Sequence, residues 1–176
     1  MILKNGQELT IRKAIKGDAK EVLDYLNIVG GESDNLLFGA NGFTMTVQQE
    51  EEIIESTNNS KTSVFLVGLI DNKIVSIGSI FSPKRERVAH QGNLGISVLK
   101  RFWGIGIGTR LMEAMIDFAK DSQQLEILHL AVKADNCNAI AMYKKLGFQQ
   151  IGLYPKFYKI NGLYYDDILM NLYLAP

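Results

Sequence analysis

The chain has 176 residues, with 19 Lys plus Arg against 19 Asp plus Glu, a formal net charge of zero, 47% hydrophobic and 22% charged residues, and three prolines. Such a chain is long enough to bury roughly 70% of its unfolded surface, so a single domain over residues 1–176 is expected, and its balanced charge gives no footprint for nucleic acid or an anionic membrane. One cysteine, Cys137, excludes an intramolecular disulfide and a multi-thiolate zinc site, and with only His90 and His129 as imidazole ligands no metal is expected.

The opening "MILKNGQELTIRK" lacks an apolar run of signal-peptide length, and nothing later approaches the ~20 apolar residues of a membrane span, so the expected address is the cytoplasm. "ELTIRKA" alternates as an edge strand. Asp18 with Glu21 three residues on reads as a capping box for a helix whose apolar face is Ala19, Val22, Leu23 and Leu26. The "NIVGGESDN" stretch ends that helix in a loop. Thr46 with Gln49 repeats the capping relation for a second helix through Ser56.

From Thr62 two β-branched runs, "TSVFLVGLI" and "KIVSIGSIFS", flank "DNK" and predict a hairpin turning at Asn72. A third strand is expected over about Val88 to Leu99. A helix follows from about Gly106 to Ala119, with Leu111, Met115, Phe118 and Ala119 on its buried side. "LEILHLAV" is a further strand and "NAIAMYKKLG" a short helix stopped at Gly147. "FQQIGLYPKFYKI" and "YYDDILMNLYL" close the chain as a hairpin around Asn161 and Gly162. The order is βααβββαβαββ, an α/β (α+β) chain with a mixed sheet and a parallel pair at its centre.

Gly104, Gly106 and Gly108 stand between a strand and a helix, where unpaired amides and the helix dipole favour phosphate, although a tight turn without ligand fits the same letters. A Walker A loop fails because Gly108 is followed by Thr109 and Arg110. The dinucleotide pattern G-x-G-x-x-G fails because its last position falls on Thr109 or Leu111.

Two stretches together resemble the GNAT superfamily of acetyl-coenzyme A-dependent N-acetyltransferases. The first signature, Gln/Arg-x-x-Gly-x-Gly/Ala, reads Trp103-Gly104-Ile105-Gly106-Ile107-Gly108, with both glycines in place and Trp103 where a polar residue is expected. The second, an asparagine before A-x-x-L/M-Y-x-x-x-G-F, reads Asn136 with "AIAMYKKLGF" at residues 139–148. The resemblance covers about residues 9–173. It implies a mostly antiparallel seven-stranded sheet flanked by about four helices, with the central parallel strands splayed.

It further implies acetyl-CoA as cosubstrate. Main-chain groups of Ile96, Ser97 and Val98 would hold the pantetheine arm like an added strand, and the amides of Trp103, Gly104, Ile105, Gly106, Ile107, Gly108 and Thr109 would hold the pyrophosphate. Asn136 would bond the pantetheine or phosphate region, and Tyr143 would face the thioester sulfur. The implied activity is direct transfer of an acetyl group to a primary amine through a tetrahedral intermediate, with Tyr143 as general acid. The amine belongs to a free amino acid or other small molecule, a polyamine, or a protein N-terminus. A non-catalytic acyl-CoA sensor on the same fold is the alternative.

Some family members use a glutamate on the fourth strand as base, and "AHQGNLGISV" has none. His90 is the candidate base there, beside Asn93 or a water relay. Glu32 and Asp34, by resemblance, border the acceptor pocket, and Asp167 on the last strand is a further candidate for binding a cationic substrate. Cys137 reads as a small buried residue at a helix start, and His129 as a satisfied core histidine. The apolar C-terminal strand makes a homodimer contact a possibility of the sequence.

Overall fold

Seven strands form one sheet in the order β1-β2-β3-β4-β5-β7-β6. They are β1 Thr10–Lys13, β2 Val64–Ile70, β3 Lys73–Phe81, β4 Gln91–Val98, β5 Ile127–Lys133, β6 Gln149–Ile160 and β7 Leu163–Tyr173. The helices are α1 Ala19–Glu32, α2 Val47–Asn58, α3 Ile107–Asp121 and α4 Cys137–Lys145. This computed structural model describes residues 1–174; Ala175 and Pro176, which close the expected domain and its apolar tail, lie outside them.

Local chemistry explains most of the boundaries. Thr46 accepts from the Gln49 amide at 3.2 Å while the Gln49 side chain accepts from the Thr46 amide at 2.9 Å, a reciprocal cap for α2. Asp71 and Asn72 both take positive φ, 50° and 59°, the conformation that a two-residue hairpin between right-twisted strands requires. Gly147, with φ 94°, stops α4.

The capping box expected at Asp18 and Glu21 does not form. Asp18 sits in a short 3₁₀ turn, where its carboxylate takes both arms of the Arg12 guanidinium at 2.6 and 2.9 Å and the Ile15 amide at 2.8 Å. Glu21 instead accepts from the amide of Ile74 at 3.0 Å, fastening α1 to the start of β3. The strand expected from Val88 begins later, because Glu86–Val88 closes a 3₁₀ turn before β4.

Two apolar clusters flank the sheet. One packs α1 and α2 through Val22, Tyr25, Val29 and Ile54 on β2 and β3. The other packs α3 and α4 through Leu111, Met115 and Tyr143 on Leu128, Leu130, Val132 and Met170. Leu111, Met115 and Ala119 are fully buried, as their spacing predicts, and Phe118 packs at the margin.

Among the described residues the sheet's parallel ladder is short. β4 pairs with β5 at Gln91–Ile127, Gly92–Leu128 and Asn93–His129, and there the pairing stops, although β4 continues to Val98 and β5 to Lys133. On its other side β4 stays paired to β3 from Asn93 to Val98. The two central strands therefore part at their C-terminal ends.

Candidate active site

The parting leaves one edge of β4 without a strand partner. Leu99 donates to the carbonyl of Val75 at 3.0 Å, which fixes the alternation of the β3–β4 ladder. Ser97 pairs with Ile77 on that ladder, so the main-chain groups of Leu94, Ile96 and Val98 face the opening. Of the three residues expected to meet an extended ligand, Ile96 and Val98 present their backbone and Ser97 does not. The Ser97 hydroxyl meets that of Tyr25 at 3.0 Å, behind the strand, so Ser97 ties β4 to α1.

At the open end the chain turns through Lys100–Phe102 and the glycine segment into α3. Gly104 and Gly106 have φ of 79° and 101°, a region that L side chains rarely adopt, and a Cβ on either would meet nothing within 4 Å. Ile105 and Ile107 alternate with them and pack into the α1-side core, Ile107 being 1% exposed. The isoleucines thus pin the loop while the glycines turn its amides outward.

Among the described residues, the amides from Gly104 to Thr109 donate to no protein acceptor; the first helical bond of α3 runs from Arg110 to the Gly106 carbonyl at 3.1 Å. Consecutive free N–H groups at a helix N-terminus can cradle an anion, and the space beside both glycines is open. Gly108 serves differently. It lies inside α3, where a Cβ would stand 3.3 Å from the Met142 sulfur, so it sets the approach of α4.

Trp103, the departure from the signature, donates its indole N–H to the Val98 carbonyl at 2.7 Å. It caps an acceptor that the parted strands leave free, and it is 46% exposed.

Asn136 is the N-cap of α4, its side-chain oxygen accepting from the Ala139 amide at 3.4 Å. Two turns on, Tyr143 joins the buried cluster of Leu130, Val132 and Phe148, against which Leu94 and Ile96 of β4 pack. It is 6% exposed, and burial, aided by the nearby Tyr158, pushes its hydroxyl up to about 12. Cys137, expected buried, is exposed, because the first turn of α4 faces away from the core.

The structure does not bring His90 to this place. It precedes β4 at the paired end, where its carbonyl accepts from Glu126 and Ile127, and the strand then runs the length of β4 before reaching Val98. His129, also on the paired stretch, is held by Asn171 at 2.8 Å.

Glu32 and Asp34 lie in a cleft beside the glycine turn. Glu32 accepts from the Lys100 amide at 2.6 Å, pinning the end of α1 beside the glycine turn. A cleft of about 450 Å³ there is lined by residues 30–35, Lys100 and Trp103. It adjoins a groove of about 550 Å³ between the α1–α2 loop and β6, walled by Asp34, Leu36, Phe38, Phe157 and Tyr158.

Tyr158 is the residue that the sequence reading missed. β6 carries extra residues between Tyr154, opposite Asp167, and Tyr158, opposite Tyr165. Lys156 sits at the apex with φ 56°, its amide held by Asp166 at 2.8 Å. This bulge turns Phe157 and Tyr158 into the groove, and Pro155, which cannot donate to a ladder, was the letter that marked it. Asp167, 1% exposed, receives the Tyr158 hydroxyl at 3.4 Å.

The model of the Acetyltransferase (GNAT) family matches residues 37–148, which hold both the glycine turn and Tyr143. The chain belongs to that family. A GNAT acetyltransferase from Streptococcus pneumoniae superposes with a TM-score of 0.93 at 33% identity, covering 95% of this chain and 100% of that one. An N-alpha-acetyltransferase from Sulfurisphaera tokodaii is 35% identical over 163 residues, covering 88% of this chain and 89% of that relative. The L-amino acid N-acetyltransferase AaaT of Escherichia coli K12 is 34% identical over 105 residues, 60% of this chain, and the match spans 65% of that relative's length. The seven-stranded sheet, its four longer helices and its parted centre are those of the GNAT fold.

Proposed function

We propose that this GNAT protein is an acetyl-CoA-dependent N-acetyltransferase that moves an acetyl group directly to a primary amine. The observation that carries the reading is the parted β4–β5 edge, with free amides from Gly104 to Thr109 at one end and Tyr143 in the cluster against which Leu94 and Ile96 pack. The Ile96 and Val98 main chain would hold the pantetheine arm, the glycine turn the pyrophosphate, and the Asn136 amide nitrogen, left over from capping, the region between.

Acetyl-CoA supplies the activated carbonyl. Tyr143 stays protonated through the neutral range, because burial holds it near 12, and so remains a donor for the sulfur that departs when the amine displaces it. The acceptor enters through the groove between Asp34 and Tyr158, where a carboxylate and apolar walls suit an ammonium on an apolar framework. Relatives named as an L-amino acid N-acetyltransferase and as an N-alpha-acetyltransferase support α-amines as the acceptor class.

The test is a thiol-release assay with acetyl-CoA against amino acids, polyamines and peptides with free N-termini. Turnover with at least one class is expected. Tight coenzyme A binding with no turnover on any of them would replace this reading with that of an acyl-CoA sensor.

A further inference from the structure

The amine must lose a proton before it attacks: at pH 7 an alkyl ammonium of pKa about 10.4 is neutral in only about one molecule in 2,500, and a peptide α-amine of pKa about 8 in about one in ten. Neither His90 nor His129 reaches the opening, and β4 carries no carboxylate. We infer that Tyr158 is a catalytic residue of this chain, taking the acceptor's proton as it passes its own to the buried carboxylate of Asp167. The inference rests on the N-acetyltransferase reading and adds to it the route by which the amine is made nucleophilic.

Geometry carries it. Tyr158 lines the acceptor groove together with Asp34. Its own hydroxyl points to Asp167, which has no other hydrogen-bond donor among the described residues and is sealed from solvent. The 3.4 Å separation is long for a hydroxyl donor, as catalytic contacts often are before substrate tightens them.

The other groups around Asp167 are otherwise engaged. From β5, Lys133 is bonded to Asp135 and lies over the Tyr165 ring at 3.7 Å, while His129 is bonded to Asn171. On β7, Asp166 is occupied by the Lys156 amide, and on β6 Tyr154 stands opposite in register. Burial holds the Asp167 carboxyl above its ordinary 3.8, against a lowering pull from Tyr158 and His129, which makes it a stronger base than a solvated aspartate.

The protons balance. An N–H bond of the ammonium breaks and an O–H bond forms on Tyr158, whose former proton forms an O–H bond on Asp167; ammonium and carboxylate are both neutralised. The amine lone pair then forms the C–N bond, the C–S pair leaves on sulfur, and sulfur takes the proton of Tyr143. The second proton lost by nitrogen restores Tyr143. When the amide product departs, Asp167 returns its proton to Tyr158, which releases one to the solvent of the groove.

The experiment measures kcat/KM for the acceptor from pH 6 to 10, with acetyl-CoA and either L-methionine or a short peptide with a free N-terminus, in wild type, Tyr158→Phe and Asp167→Asn. Both variants are expected to lose about 10²- to 10⁴-fold at pH 7. The deficit should shrink as pH rises to the acceptor's own pKa, by about tenfold for a peptide α-amine of pKa about 8, where solution supplies the free base. Tyr158→Phe removes one atom from a half-buried site, so it tests the relay even where Asp167→Asn fails to fold; coenzyme A binding should be unchanged in it. A Tyr158→Phe variant with wild-type rate at pH 7, or with the same deficit at every pH, overturns the relay. A wild type that releases no thiol with either acceptor, while Tyr158→Phe binds coenzyme A equally, overturns the N-acetyltransferase reading on these acceptors and the relay with it.

Discussion

Gly106 and Gly108 are two residues apart, yet replacing each with alanine should have opposite consequences. Gly106 is the N-cap of α3 at φ 101° and ψ 0°, with nothing near an added Cβ, so the whole penalty is backbone strain. That strain is about 1–3 kcal/mol for an L-residue held at positive φ, offset by about 0.4–1 kcal/mol through a stiffer unfolded chain. A net loss of about 1–2 kcal/mol is expected, which at this chain length lowers Tm by about 2–8 °C. Gly108 has an ordinary helical φ, and its Cβ would meet only the flexible end of Met142, at 3.3 Å. Alanine there relieves about 0.5–1 kcal/mol of helix-interior glycine cost, so Gly108→Ala should melt near or slightly above wild type. Urea unfolding followed by circular dichroism, with thermal melts, measures both. A Gly106→Ala protein as stable as wild type beside a strongly destabilised Gly108→Ala would refute the division of labour drawn for the glycines.

Three further outcomes follow from the structure. Tyr143→Phe should lower kcat by about 10²- to 10⁴-fold with coenzyme A binding intact, read by thiol release and calorimetry. Tyr143 and Tyr158 are both pushed up to about 12 by burial from an ordinary 10, so the folded state favours their neutral forms. Their stabilisation is complete below about pH 10 and is lost as pH rises toward about 12, which alkaline denaturation midpoints will show. Asp18→Ala removes a carboxylate held low chiefly by its hydrogen bonds to Arg12, leaving that guanidinium and the Ile15 amide without their acceptor. A loss of about 2 kcal/mol is expected at neutral pH, read as a shift in the urea midpoint.

What the sequence disclosed depended on how far each residue's partner lies along the chain. Thr46 and Gln49 satisfy one another within a single turn, so their cap was readable from four letters. Asp18 and Glu21 show the same spacing, but tertiary partners outcompete the local ones: Arg12 at the end of β1 for the first, and the amide of Ile74, far along the chain, for the second. The spacing of Asn136 and Tyr143 was readable as a cap and a buried residue two turns along one helix, because a helix is a local ruler. Tyr158 escaped notice because strand alternation assumes a regular ladder, whereas the bulge at Lys156 redirects it. His90 drew attention as a polar letter on the right strand, and only the register of β4 against β5 shows that it stands at the closed end. Trp103 departed from its signature, and its reason lies in the third dimension: a carbonyl left free by the parting of two strands.

That contact has an optical consequence. Trp103 is the chain's single tryptophan, and its indole nitrogen is tied to the strand edge where an extended ligand would lie. A ligand that claims the Val98 carbonyl must release the indole into a different polarity, altering its emission wavelength and its access to a soluble quencher such as iodide. The protein thus carries a built-in fluorophore at the mouth of its own site, able to report occupancy of β4 without label, substrate turnover or any knowledge of the acceptor.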